Sequence, residues 1–135
     1  EFAPEGWHVP TDAEWTTLEN YLIANGYNYD GTTTGNKIAK SMASTTGWVS
    51  STTTGAVGND QSLNNSSGFN IFPEAYRLND GSLGNEGNYA VFWSSTENSA
   101  DDALTRILGN NSSGLSRTFN LGRQSGFSVR FVKDN

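Results

Sequence analysis

The chain has 135 residues, no cysteine, a single histidine (His8), and 14 acidic against 8 basic side chains, for a formal net charge of -6. These counts exclude disulfides, thiolate nucleophiles, cysteine zinc sites and a catalytic metal held by two or three imidazoles. The acidic balance lacks the clustered Lys and Arg that phosphate backbones require, so no nucleic-acid partner is expected.

Nearly half the residues are Ser, Thr, Asn or Gly, a polar but sparsely charged composition, yet 4 Trp, 5 Tyr and 7 Phe mark a chain that folds. No apolar run approaches the ~20 residues of a membrane span, so direct membrane insertion by this domain is not expected. Glu1-Phe2 is the pair that a restriction cloning site encodes in frame. The expectation is one domain, 1–135, excised from a larger protein.

In chain order, Thr11 followed by Glu14 three residues later reads as a reciprocal capping box, with Pro10 at the boundary. Trp15, Leu18 and Leu22 form one apolar stripe and Gly26 supplies the stop, which predicts a helix over 12–25. A shorter helix is expected over 36–44, where Ile38, Ala39 and Met42 share a face. Residues 45–70 show no period and read as a long surface loop, tethered by Trp48 and Phe69 or carrying function. A second loop follows at Asn79-Asp80-Gly81 to Gly87. Both parities are apolar over Tyr89 to Trp93, the pattern of a central strand buried on two faces. Further strands are expected over 103–108, 115–121 and 127–131. Helices followed by an antiparallel meander make an α+β domain: two helices, a twisted antiparallel sheet and long irregular loops.

Gly6-Trp7-His8-Val9-Pro10-Thr11-Asp12-Ala13-Glu14-Trp15 resembles the helix-entry segment of formylglycine-generating-enzyme-like domains, and more closely that of the Fibrobacter succinogenes major paralogous domain family. Three further motifs follow in that family's order: Ser66-Ser67-Gly68-Phe69, Phe92-Trp93-Ser94-Ser95-Thr96-Glu97, and Gly126-Phe127-Ser128-Val129-Arg130. The resemblance implies a C-type lectin-like fold in which the N- and C-terminal segments come together. It also implies an extracellular or surface setting, on a bacterium or a phage particle. The enzymatic relatives work through cysteine or through several histidines, which this chain lacks, so no enzyme is expected. The Glu-Pro-Asn, Gln-Pro-Asp and Trp-Asn-Asp motifs of animal C-type lectins are missing as well, and sugar binding through a bridging calcium is not implied.

Some proteins of this family are similar to targets of diversity-generating retroelements, which mutate adenines, mostly in Asn codons, between the Trp-Ser-Ser-Thr-Glu strand and the Gly-Phe-Ser-Val-Arg end. An Asn codon ending in a pyrimidine then reaches every residue type except Lys, Glu, Gln, Met and Trp. Over 101–125 only Gln124 belongs to that excluded set, and Ala103, Arg106, Leu108 and Arg117 match the fixed members of the pattern. Strand alternation puts Leu104, Arg106 and Leu108 on one face and Thr105 and Ile107 on the other. Diversity is tolerated where packing does not dictate the residue, so the second set is expected to face solvent.

The ligand-contacting set implied is Asp101, Asp102, Thr105, Ile107, Gly109, Asn110, Asn111, Ser116, Thr118, Phe119, Asn120 and Leu121, positioned by buried Trp93, Phe127 and Phe131. Its occupant would be a protein or glycan ligand on a cell surface. Several residues keep a second reading. His8 reads as a structural hydrogen-bonding side chain. Asp101-Asp102 would ligate calcium with loop carbonyls or simply be solvated, with no cofactor otherwise expected. Arg106 and Arg117 would contact ligand or serve as buried or stacked structural cations. The expected function is a non-enzymatic, diversified ligand-binding domain, the alternative being a constant adhesive or structural module of a larger surface protein.

Overall fold

A computed structural model describes residues 2–118 and 122–135. Strand β1 is Trp7–His8, helix α1 is Asp12–Ala24, and α2 is a single turn, Ala39–Met42. A 3-10 turn at Gln61–Leu63 interrupts the long loop. The strands β2 (Tyr76–Arg77), β3 (Leu83–Gly84), β4 (Tyr89–Glu97), β5 (Ala103–Gly109), β6 (Ser116–Thr118) and β7 (Val132–Lys133) follow. The element types are those of an α+β chain, with helices before small antiparallel sheets. β4, β5 and β6 form an antiparallel sheet in that order, β2 pairs with β3, and β1 pairs with β7.

The capping box closes α1 as its sequence predicts. Glu14 N–H donates to Thr11 Oγ1 at 3.1 Å, and Thr11 N–H donates to Glu14 Oε2 at 2.8 Å. A third group completes this helix end, because Asp12 N–H donates to Thr96 Oγ1 at 2.9 Å. Thr96 ends the Trp-Ser-Ser-Thr segment of β4, so that segment both builds the longest strand and caps the helix lying over it. The stripe of α1 buries Trp15 and Leu22, and the Trp15 ring lies 5.8 Å from Phe92 and 6.1 Å from Phe69. Ile38, Ala39, Met42, Leu108 and Leu115 complete the core around them.

The second helix is shorter than its periodicity suggests because its flanks are bound elsewhere. Asn36 Nδ2–H donates to the Leu115 carbonyl at 2.9 Å and Asn36 Oδ1 accepts from Leu115 N–H at 3.0 Å, an amide acting as a strand partner. On the other flank Ala43 bridges Ile71. Residues 127–131 do not form the expected strand either. Ser128 N–H donates to Val91 O, and Ser128 O accepts from Trp93 N–H. The chain then leaves the sheet, and only Val132–Lys133 pair again, with β1. Alternation reports which side chains are apolar, not how far a ladder continues.

The long loop is tethered at both expected points, with Trp48 buried and Phe69 packed on Trp15. Its interior is held by side-chain amides and one ammonium. Asn64 Nδ2–H donates to Ser44 O and Val57 O, Gln61 brackets the Trp48 backbone, and Lys40 Nζ donates to the carbonyls of Ala56, Asn59 and Asp60. Burial pushes the Lys40 ammonium below its ordinary pKa. The loop docks on the β5–β6 turn through Gly58, whose N–H donates to Asn110 O at 2.7 Å. A Cβ on Gly58 would stand 2.2 Å from Val49 O and 2.9 Å from Asn110 O.

The two terminal strands are clasped by His8. Its Nδ1–H donates to Asp134 Oδ1 at 2.6 Å and its Nε2–H to Glu14 Oε1 at 2.8 Å. Both nitrogens face carboxylates, which favours the imidazolium, and the bonds to Asp134 first and Glu14 second raise the His8 pKa above its ordinary 6.5.

Two measurements test these contacts. The clasp's contribution should be fully present below the unfolded histidine value and lost as pH rises through the higher folded value. An NMR titration should therefore show a His8 pKa above 6.5 and β1–β7 amide protection factors falling on the alkaline side; a pKa at or below 6.5 contradicts the clasp. Gly58→Ala should cost about 1–3 kcal/mol in chemical denaturation, since backbone rather than a movable side chain fills the space.

Candidate functional site

The β4–β5–β6 register sorts its residues onto two faces. Directly opposed residues share a face, so Phe92, Arg106 and Arg117 point to the α1 side, while Trp93, Thr105 and Thr118, with Val91, Ile107 and Ser116, point to the other.

On the α1 side Arg106 is 1% exposed. Its Nε–H donates to Glu19 Oε1 and its Nη1–H to Asp12 Oδ1, both at 2.5 Å, while Nη2–H reaches Thr16 Oγ1 at 3.1 Å and the Asp12 carbonyl at 3.3 Å. Arg117, half-exposed on the neighbouring strand, donates from Nε to both Asp12 oxygens at 2.9 and 3.1 Å. Arg117 first and then Arg106 hold the Asp12 carboxyl below the usual carboxylate range, against the opposing effect of burial. Both arginines therefore serve the structural role: they seat the helix on the sheet.

The opposite face corrects part of the expected contact set. Thr105 is 0% exposed. It is covered because it lies between Trp93 on β4 and Thr118 on β6, with its hydroxyl donating to Thr118 O at 3.3 Å. Gly109 is buried against Tyr89, and Asn110 is bound into the fold. Asn110 N–H donates to Asn88 O at 2.8 Å, its carbonyl accepts from Gly58, and its Nδ2–H donates to Val49 O at 3.3 Å. Alternation cannot see that a distant loop covers one end of a strand. Ile107 and Thr118 are half-buried, and Ser116 and Asn111 are exposed. Phe119, Asn120 and Leu121 lie outside the described residues.

Asp101 is exposed and Asp102 half-buried at the entry to β5. Asp102 N–H donates to Ser99 Oγ at 3.2 Å, and Arg123 draws the same corner together, its N–H donating to Asp101 O at 3.0 Å and its Nη2–H to Ser99 O at 3.0 Å. Among the described residues no three His, Asp or Glu side chains cluster so as to hold a metal ion. No helix of the described residues is long and apolar enough to cross a membrane.

Trp93 and Phe127 differ from the expected buried supports: both are half-buried, as is Phe131. The Trp93 ring lies 4.7 Å from Phe127, which in turn lies 5.5 Å from Tyr76 in an edge-on arrangement. This aromatic row runs away from β5 and β6, because Ser128 bridges Phe92 on the free edge of β4 and Gly126 bridges Arg77 beyond it. Sequence reasoning missed Tyr76, which sits in a two-residue strand with no periodic neighbours to announce it.

Removing the buried cation tests the division between faces. Arg106→Met should cost about 3–5 kcal/mol, because Asp12 and Glu19 would lose their shared partner. Arg117→Ala should cost much less, since that guanidinium is half in water. Equal losses in urea titration would contradict the assignment.

The four sequence motifs meet in space: Trp15 packs on Phe69 and Phe92, Phe127 on Trp93, and the Arg130 guanidinium lies 4.7 Å from the Phe69 ring centroid. No curated protein and no solved structure matches the chain. The family model described as the Fibrobacter succinogenes major domain matches residues 1–133, and the chain belongs to that family.

Proposed function

We propose that this chain is a non-enzymatic ligand-binding domain with a C-type lectin-like fold, displaying a surface diversified by a retroelement and facing the exterior of a bacterium or phage particle. The observation that carries the reading is the unequal treatment of the β5–β6 hairpin by the rest of the molecule. Leu104, Arg106 and Leu108 are buried on the helix side, whereas Ile107, Ser116 and Thr118 retain access to solvent on the other. The residue types that adenine mutagenesis of Asn codons cannot reach are nearly absent from the same stretch.

The C-type lectin-like reading draws support from the paired terminal strands, the helix lying over an antiparallel sheet and the long loop held by its own amides. The recognition surface then comprises Ile107, Asn111, Ser116 and Thr118, with Asp101 and Asp102 at its rim; Phe119, Asn120 and Leu121 join on the sequence argument alone. Trp93, across Thr105 from Thr118, would add apolar area at the β4 edge of this surface, with Phe127 and Tyr76 beyond it, an arrangement suited to a protein or glycan ligand on a cell surface.

Comparison of the locus among sibling strains tests diversification. Substitutions should concentrate at Asn-derived codons over 101–125 and spare Leu104, Arg106, Leu108 and Arg117. Uniform drift along the chain would refute it and favour a constant adhesive module. A displayed library randomised at Asn111, Ser116 and Thr118 should remain protease-resistant in most members, with typical losses under about 1 kcal/mol. The same experiment at Leu104, Arg106 and Leu108 should unfold most members.

A further inference from the structure

A concavity lies on the α1 side of the molecule, away from the sheet face discussed above. It is a groove of about 640 Å³ between α1 and the C-terminal segment, walled by Pro10, Leu18, Tyr21, Phe69, Phe131 and Val132. That volume falls within the range of small-molecule sites, and its walls are almost wholly apolar.

The charged groups of the lining decide what would fit, and Trp15 reports on it. Trp15, 3% exposed, lines the groove, and its indole N–H has no acceptor among the described residues. The nitrogen itself is out of solvent contact, so it reports on the groove through its ring rather than through a bond to an occupant. Arg130 lines the same groove, lies against Phe69, and has no carboxylate partner among the described residues. Because Trp15 also packs on Phe69, the indole and the guanidinium are gathered around one ring. Glu14, the acid of the lining, is already committed: Oε1 accepts from His8, and Oε2 accepts from the Thr11 N–H and hydroxyl. The groove therefore offers apolar walls and a guanidinium with no ion pair among the described residues, with its carboxylate occupied.

We propose that this groove binds a small amphiphilic carboxylate, its acyl chain or fused-ring body lying along α1 and its carboxylate on Arg130. Charge complementarity selects an acid over an amine or a neutral amphiphile. The site is separate from the diversified surface, so its occupancy does not depend on that reading.

Decanoate, kept below its micellar concentration, is a suitable probe, read by the indole N–H cross-peak of Trp15 in two-dimensional NMR of the 15N-labelled chain; Trp15→Phe assigns the peak. A saturable shift of that peak is expected. Decanol should bind roughly tenfold more weakly than decanoate, the value of one charge-assisted hydrogen bond, and Arg130→Gln should lower decanoate affinity by about the same factor. Because the decanoate and decanol comparison uses the unaltered protein, a fold defect in the variant cannot obscure the result. Absence of a saturable Trp15 shift, or equal affinities for acid and alcohol, would overturn the proposal.

Discussion

A guanidinium out of water on the middle strand of a sheet is costly unless nearly every donor finds a partner. Arg106 achieves this with residues of one helix: Asp12, Thr16 and Glu19 stand at i, i+4 and i+7, a polar stripe on α1 beside the apolar stripe of Trp15, Leu18 and Leu22. The two stripes do different work. The apolar one draws the helix onto the sheet without preference for direction, whereas the fork of Arg106 allows one rotation of the helix about its axis. With that rotation fixed, Trp15 meets Phe92 and the helix start reaches Thr96. The other sheet face is then left free of any structural duty toward the helix.

The rest of the chain solves a hydrogen-bonding problem with few regular elements. Backbone groups in the long loop cannot be left unpaired once Ala56 and Val57 are buried, and no long strand lies there to pair them. Asn28, Asn36, Gln61 and Asn64 supply amides that imitate backbone, and the Lys40 ammonium gathers three carbonyls. The surplus of amide side chains that makes the composition look disordered is thus partly the internal scaffold of the loops.

This division explains what was legible in sequence. The capping box, the helix stripe and the two-sided burial of β4 depend on neighbours close in the chain, and local pattern describes them. The face of β5 that packs on α1 was legible for the same reason. Thr105 and Gly109 were misread because their burial comes from Trp93 and Tyr89 on the neighbouring strand, and the bonds that tie Asn110 into the fold come from residues 49–58 and 88, far away in sequence. The groove beside Trp15 was invisible for a related reason: its walls come from α1, the loop and the C-terminal segment, which have no common periodicity.

The antiparallel pairing of β1 with β7 also sets how the molecule carries load. Trp7 opposes Lys133, and Asp134 N–H donates to Gly6 O at 2.9 Å, so the chain enters and leaves at the same end of one short ribbon. Tension applied through the two ends does not shear this ribbon with all its bonds loaded together. It peels the strands apart one pair at a time, beginning at Gly6 and Asp134 and reaching His8 next. The contacts between α1 and the sheet would bear such a pull only after these pairs have opened, so the sheet face is shielded from strain at the two ends.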